Sequence, residues 1–281
     1  MPGSLVFSPR RRTSALFNSC SLNTPRRRME EALYHLHFQQ EESHWWFAAR
    51  SEIVRHVIER HVGLSPGDTV LDVGCGTGAI LSHLSKTYRT VGIDMSPLAI
   101  EYSRQRGLTD VLQIPVEQFP TADYNVKAAI VLDVIEHIED DIGVLGAIRN
   151  IIGPSGRVLI TVPAHPWLWS AHDVANHHVR RYTKKTLRES LLAAGLEPLR
   201  MNYYNSILFP LGVARKFLDR RLTADKVSEH LSQPGRFANG LLRRVFAFEK
   251  WLVMTIPLPW GISLMTIARP IRHRSTDTNT D

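Results

Sequence analysis

Three carboxylates and a run of glycines carry the chemistry this chain could do. In Val70-Leu71-Asp72-Val73-Gly74-Cys75-Gly76-Thr77-Gly78, an apolar run ends in an acid and then in glycines at alternate positions. The pattern predicts a buried strand turning sharply into a helix, where glycine supplies backbone angles that a Cβ forbids and lets a ligand lie against the main chain. A nucleotide-like ligand suits such a turn. Gly74, Gly76 and Ala79 satisfy the dinucleotide spacing G-x-G-x-x-G/A, so an NAD-type oxidoreductase fits the glycines alone. Asp72 tilts the balance. A carboxylate two residues before the first glycine repels a pyrophosphate at the following helix N-terminus, yet it suits a ligand carrying an ammonium and a sulfonium, as S-adenosylmethionine does.

Further chemical groups recur where strands are predicted to end. Val91-Gly92-Ile93-Asp94 puts an acid about 20 residues past the glycine turn, where a ribose hydroxyl pair is gripped. Ser96, with Pro97 behind it, is the better helix cap, which leaves Asp94 for ligand. The apolar run Ala128–Leu132 ends in Asp133-Val134-Ile135-Glu136-His137, and Gly156–Val162 ends before Ala164-His165. The segment from His165 through Trp167, Trp169, Asp173, His178, Arg181 and Tyr182 is dense in aromatic and titratable groups, which predicts a pocket lining. Packing of a polar loop pinned by Asp173–Arg pairs is the simpler alternative.

The elements that must position these groups read as α/β. Helices are predicted over Met29–Gln40 and Trp46–His61, the second with Ile53, Val57, Ile58 and Val62 at helical spacing. His44-Trp45-Trp46-Phe47 between them reads either as a packing anchor or as a lid, with Trp46 facing substrate and Arg50 reaching a cofactor carboxylate. Strands then alternate with helices (79–87, 97–106, and one capped by Thr183 and ending at Gly195), which means parallel βαβ units with ligands outside the strand carboxyl ends.

Taken as a set, Asp72–Gly78, Gly92-Ile93-Asp94 and Asp133-Val134-Ile135-Glu136-His137 resemble the successive motifs of class I SAM-dependent methyltransferases. The resemblance covers about residues 45–200. It is similar to the group of ubiquinone-pathway O-methyltransferases and of methyltransferases from bacterial glycan and lipid clusters. It implies a Rossmann-like, seven-stranded, mostly parallel sheet with the last strand antiparallel, for which Ser263–Arg269 is the candidate, and S-adenosylmethionine as cofactor. By resemblance Gly74, Gly76 and Gly78, with Cys75 among them, contact the methionyl and ribose portions. Asp72 takes the amino group, Asp94 the ribose hydroxyls and Met95 the adenine face, with Asp133 and Arg50 completing the cofactor set. The acid that usually binds the adenine amine is replaced by Pro115-Val116-Glu117, so the Val116 backbone or Glu117 takes that contact.

For such a reaction the protein aligns an acceptor and, for a hydroxyl, accepts its proton. His137, after the fourth strand, suits that role near pH 7. His165, His178, Arg181 and Tyr182 are the expected substrate residues, within a segment that resembles the family's H-x-R-R-Y. No metal is required by this scheme. Asp133, Glu136 and His137 form an alternative divalent site that resembles E-x-x-E-H in some relatives, although a hard cation asks for more oxygen ligands.

Charge and composition bound the rest. The chain has 281 residues, 43% hydrophobic, with a formal charge of +7. Six arginines (10–12 and 26–28) and no acid lie in residues 1–28, which leaves +1 for the remainder. The near-neutral body argues against a nucleic-acid partner. Residues 1–28 are expected to be a disordered basic tail; a translation start at Met29 and a transit peptide are both compatible with it. Cys20 and Cys75 alone exclude a disulfide framework and point to a cytoplasmic setting. Residues 29–270 form the expected methyltransferase domain and 271–281 a flexible tail. Residues 203–260 read as a helical insertion or lid before the last strand. Within it Ala238, Leu241, Leu242, Val245, Phe248 and Leu252 mark one helix face, which packs on the domain or lies peripherally on a membrane. The acceptor is expected to be a small or lipid-linked molecule, and a catalytically silent binding protein is the non-enzyme alternative.

Overall fold

The computed structural model describes residues 34–219 and 234–272. The basic tail over 1–28, the first residues of the expected 29–40 helix and nearly all of the 271–281 tail lie outside the described residues. In chain order the elements are helix α1 (34–40), α2 (Trp45–Val57, running into a π-turn at Ile58–Val62), β1 (Thr69–Val73), α3 (Ala79–Leu84), β2 (Arg89–Ile93), α4 (Pro97–Gln105), β3 (Val111–Leu112) and β4 (Val126–Leu132). Then follow α5 (Asp141–Ile152), β5 (Arg157–Pro163), α6 (Ala171–Ala175), α7 (Lys184–Ala193), β6 (Leu196–Tyr204), α8 (Phe209–Asp219), α9 (Arg236–Ala247) and β7 (Ser263–Pro270).

The strands form one seven-stranded sheet in the order β3-β2-β1-β4-β5-β7-β6. Neighbours from β3 to β5 pair in parallel, and β7 runs antiparallel between β5 and β6. The Rossmann-like sheet with an antiparallel last strand is therefore present. Strand β6 carries no continuous apolar run because it is the sheet edge, with Leu199 and Arg200 exposed.

Alternation along the strands sorts side chains into two cores. Val70, Ala128, Ile130, Leu159, Met265 and Ile267 meet Ile53, Val57 and Phe246 of the α2 and α9 layer. Leu71, Val73, Ala129, Val131, Val158 and Ile160 meet Leu145, Ile148, Leu187 and Leu191 of α5 and α7. Central strands buried on both faces explain the unbroken apolar runs in the sequence. Local signals set the helix starts. Asp140 accepts the Gly143 N–H at 2.8 Å to cap α5, and Thr183 accepts the Thr186 N–H at 3.1 Å to cap α7.

The insertion between β6 and β7 departs from the periodicity reading. Leu241 and Phe248, on the face expected to pack on the domain or to lie on a membrane, are exposed, whereas Phe246 and Ala247 are the residues buried against the body. Helix α9 is apolar on two sides, so periodicity identifies a face without saying which side meets the core. Phe246 sits between Trp45 (ring centroids 6.2 Å apart) and Tyr204 (6.2 Å), tying the insertion to α2 and β6. None of the described helices is long and apolar enough to cross a membrane.

Truncating so central a ring tests this packing. Phe246→Ala is expected to cost about 3–5 kcal/mol through lost burial and a residual cavity. A shift of the urea midpoint to lower concentration measures it, and an unchanged midpoint would place the ring outside the core.

Candidate active site

The glycine turn leaves β1 with Gly74, Gly76 and Gly78 all at positive φ (+73°, +55° and +78°). Its shape is dictated by close approach: the Gly74 and Cys75 amides donate to the Ile93 carbonyl at 2.8 and 3.0 Å, and a Cβ on Gly74 would stand 2.6 Å from Val134. A Cβ on Gly76 would meet nothing within 4 Å, so the main chain there borders open space, a cradle of the kind a nucleoside needs. The Cys75 thiol packs instead with Leu81, Ile100, Leu108 and Val111, and burial raises its pKa, so at this position the main chain and not the sulfur is offered to a ligand.

Asp94 follows β2 and closes the turn. Its carboxylate accepts the Gly76 N–H at 2.9 Å and the Ser96 N–H at 2.8 Å. Ser96 holds the cap position of α4 but makes no side-chain cap bond, which corrects the expectation that Ser96 caps and Asp94 stands wholly free. A carboxylate with two N–H partners still has lone pairs for a diol. Met95 is exposed at the rim, and Val116 lies buried in a short 3₁₀ turn beside an exposed Glu117.

Asp72 is buried, and desolvation pushes its carboxyl up to about 7, opposed by Arg50 and reinforced by Asp94 and Glu41. A cationic ligand group beside it would reverse that penalty, so the residues present fit an amino-acid ammonium. Arg50 reaches the site from α2, lies 5.4 Å from the centroid of the Trp46 ring and pairs with Asp133 at 2.5 Å. Two expected cofactor contacts are thus partners of one another. Asp133 holds φ +58°, a strained value for a residue other than glycine, and also accepts the Thr161 hydroxyl at 3.2 Å.

Glu41 and Arg106 have no counterpart in the sequence reading. The Thr77 hydroxyl donates to Glu41, while Arg106 reaches the carbonyls of Thr77 (2.9 Å) and Phe38 (3.0 Å) and the carboxylates of Glu41 (3.1 Å) and Glu42 (2.9 Å). This clamp holds the end of α1 over the glycine turn. Residues 65 apart in a polar stretch leave no periodic signal by which it could be found.

On the opposite side, Ile135–His137 forms a 3₁₀ turn after β4. Glu136 is fully buried with neither carboxylate oxygen hydrogen-bonded, and desolvation together with Asp133 raises its pKa well above the usual range. Burial and His178 lower the pKa of His137. The two imidazoles meet edge to face at 4.7 Å. His178 is oriented by Asp173, whose carboxylate lies 2.9 Å from Nδ1. Burial alone would raise the Asp173 pKa, yet hydrogen bonds from His178 and Arg181 hold it far below the carboxylate range. Ligand atoms of Glu136, His137 and His178 lie within 4.8 Å of one another. The alternative metal set is thereby corrected: Asp133 turns to Arg50, and His178 takes its place beside Glu136 and His137.

Two expected substrate residues serve the loop itself. Arg181 clamps Asp173 with two bonds (2.7 and 2.9 Å) and donates to the Ala164 carbonyl at 3.1 Å. Tyr182 is buried, and its hydroxyl donates to Asp141 at 2.8 Å. His165, at φ +60°, stacks on Tyr203 (4.9 Å) and touches Trp167 and Phe209 (both 5.7 Å), an aromatic wall at the end of β5.

With this geometry, residues 35–200, more than half of the chain, match the family described as a methyltransferase domain. The ubiquinone biosynthesis O-methyltransferase of Vibrio parahaemolyticus is 29% identical over 140 residues, which are 44% of this chain and 59% of that protein. An uncharacterised 37.1 kDa protein of a Streptomyces fradiae transposon is 25% identical over 198 residues, 66% of this chain and 57% of its own length. The chain spans less than two thirds of the length of both relatives. A TehB-like SAM-dependent methyltransferase structure from Corynebacterium glutamicum aligns with a TM-score of 0.52 at 15% identity, covering 86% of this chain and 99% of that one, a likeness of fold.

The raised Asp72 carboxyl gives a pH test. Without ligand, the stability this acid contributes is present at low pH and is lost as pH rises through about 7. A ligand ammonium needs the ionised form, so affinity for S-adenosylmethionine should fall about tenfold per unit below that pH. Calorimetric dissociation constants from pH 5.5 to 8.5 check it, with Asp72→Asn expected to be weak and flat; a flat profile for the unaltered protein would contradict the assignment.

Proposed function

The chain belongs to the SAM-dependent methyltransferases, and from that membership we propose that it methylates a hydroxyl oxygen of a small-molecule acceptor, with His137 as the proton acceptor. S-adenosylmethionine, when bound, supplies a methyl group already activated on a sulfonium. The chain's own work is then to hold that ligand at the glycine turn, align the acceptor and take up its proton. Asp72, the Gly74–Gly78 main chain and Asp94 are the cofactor-holding candidates on one side, with Arg50 kept in place by Asp133. His137 lies on the other.

The observation that carries the proposal is the place of His137, on the turn that follows β4 and edge to face with His178. Burial and the neighbouring His178 lower the pKa of the imidazole, which favours its neutral form. A neutral imidazole has one ring nitrogen without a proton, which is what a general base requires. The aromatic wall of His165, Trp167, Tyr203 and Phe209 supports a planar or apolar acceptor, and the O-methyltransferase name of the Vibrio relative supports oxygen as its target.

A second reading is favoured by the unpartnered Glu136 carboxylate. One carboxylate and two imidazoles suit a borderline divalent cation, which Glu136, His137 and His178 would hold and which would lower the pKa of an acceptor hydroxyl.

His137→Ala is expected to lower kcat by about 10²–10⁴-fold while leaving the heat of S-adenosylmethionine binding intact. Radiolabelled methyl transfer into extract supplies the activity measurement, and full turnover in the variant would remove His137 from the mechanism. Activity that survives prolonged EDTA treatment fits the imidazole base; activity lost to EDTA and restored by one divalent metal fits the second reading.

A further inference from the structure

We propose that the outer face of α9 docks on an anionic lipid surface, and that the acceptor is carried in that surface. The substrate half of this inference rests on the hydroxyl-acceptor reading above, whereas the docking half stands apart from it. Helix α9 buries Phe246 and Ala247, whereas the side chains of its opposite side are exposed. Phe237, Leu241, Arg244 and Phe248 follow at intervals of four, three and four and lie along one stripe, which Trp251 continues in the next turn with its ring packed edge to face against His56 of α2 at 4.6 Å. Phe237 is 86% exposed, Phe248 55%, Trp251 53% and Leu241 52%. Scattered apolar side chains are ordinary on a surface, whereas four large ones in a row mark an interaction face.

The charges around the stripe name the occupant. Arg236 and Arg244 are exposed and pair with no acid among the described residues. Arg243 and Lys250, on the flank, are met by Glu52 at 2.6 and 3.6 Å. The acid nearest in sequence, Glu249, turns inward to accept the Ser206 and Ile207 amides, both at 2.7 Å. What faces outward is therefore aromatic and cationic, the combination that seats a helix at the headgroup boundary of a bilayer containing acidic lipids. A second copy of the chain is the rival occupant. Pairing two such stripes about a two-fold axis would bring unpaired arginines of both copies into one apolar interface, which like-charge repulsion disfavours.

Position relates this face to the site. The Asn239 side chain accepts the Trp45 N–H at 2.9 Å and donates to the Ser43 carbonyl at 2.9 Å, which fixes the start of α9 to the start of α2. Helix α2 carries Trp46 and Arg50, so the Phe237 end of the stripe lies at the rim of the site. A bilayer meeting the stripe borders that rim, so a lipid-borne acceptor would enter the site from the α2 side.

The test uses the full chain and sedimentation with phosphatidylcholine vesicles, with and without phosphatidylglycerol. Binding is expected to the mixed vesicles, to weaken in high salt, and to fall about tenfold or more in the double variant Phe237→Ser, Phe248→Ser. Both residues are exposed, so circular dichroism and the S-adenosylmethionine heat should be unchanged in the variant, which certifies its fold. Equal sedimentation of the variant and the unaltered chain, or none for either, overturns the docking. Elution of the unaltered chain as a dimer that the variant converts to monomer overturns it in favour of self-association. Loss of the nucleoside heat in the unaltered chain would count against the methyl-transfer reading and leave the vesicle result to stand alone.

Discussion

Negative charge held out of water at the open end of a parallel sheet is the constraint on which the rest of this molecule depends. Strands β1, β2 and β4 end in Asp72, Asp94 and Asp133, and Glu136 lies one turn further on. Arg50 is the internal cation that offsets them, through its pair with Asp133 and its field at Asp72. The remaining excess of carboxylate disfavours a pyrophosphate at the glycine turn and favours a ligand with positive charge, which is why the same glycine spacing serves S-adenosylmethionine here and not a dinucleotide.

Segments far apart in the chain hold that charge in place. Arg106 ties α1 to the glycine turn from one side, and the Asp173–Arg181 clamp fixes the α6 loop from the other. Buried pairs of this kind contribute little net stability against an apolar substitute, but removal of one partner strands a charge, so they act mainly to fix geometry. Asp173 thereby orients His178, and His178 in turn lies against His137. Burial lowers the pKa of His137 and raises that of Glu136, the kind of perturbation that clusters where a site does chemistry.

The strand–turn–helix around Asp72 and the alternation of strands with helices are legible in sequence because each rests on local rules: buried parallel strands read as apolar runs, and a turn at positive φ demands glycine. The pairings are not legible. Arg50 and Asp133 each look like ligand contacts until folding brings them within 2.5 Å. Tyr182 looks like a pocket residue, yet its hydroxyl finds Asp141 in the core; Asp94 looks free, yet two amides already use it. Helix α9 fails for a different reason, since apolar residues on both sides give a periodicity with two solutions, and only the contact of Phe246 with Trp45 and Tyr204 chooses between them.

The central claim is that the carboxylate-lined turn selects a cationic sulfur nucleoside. Titration calorimetry of the full chain with S-adenosylmethionine and, separately, with NADH tests it most directly. Saturable heat at one site for the sulfonium ligand and none for the dinucleotide is the expected result. Heat with NADH, or silence with S-adenosylmethionine on folded protein, would contradict it.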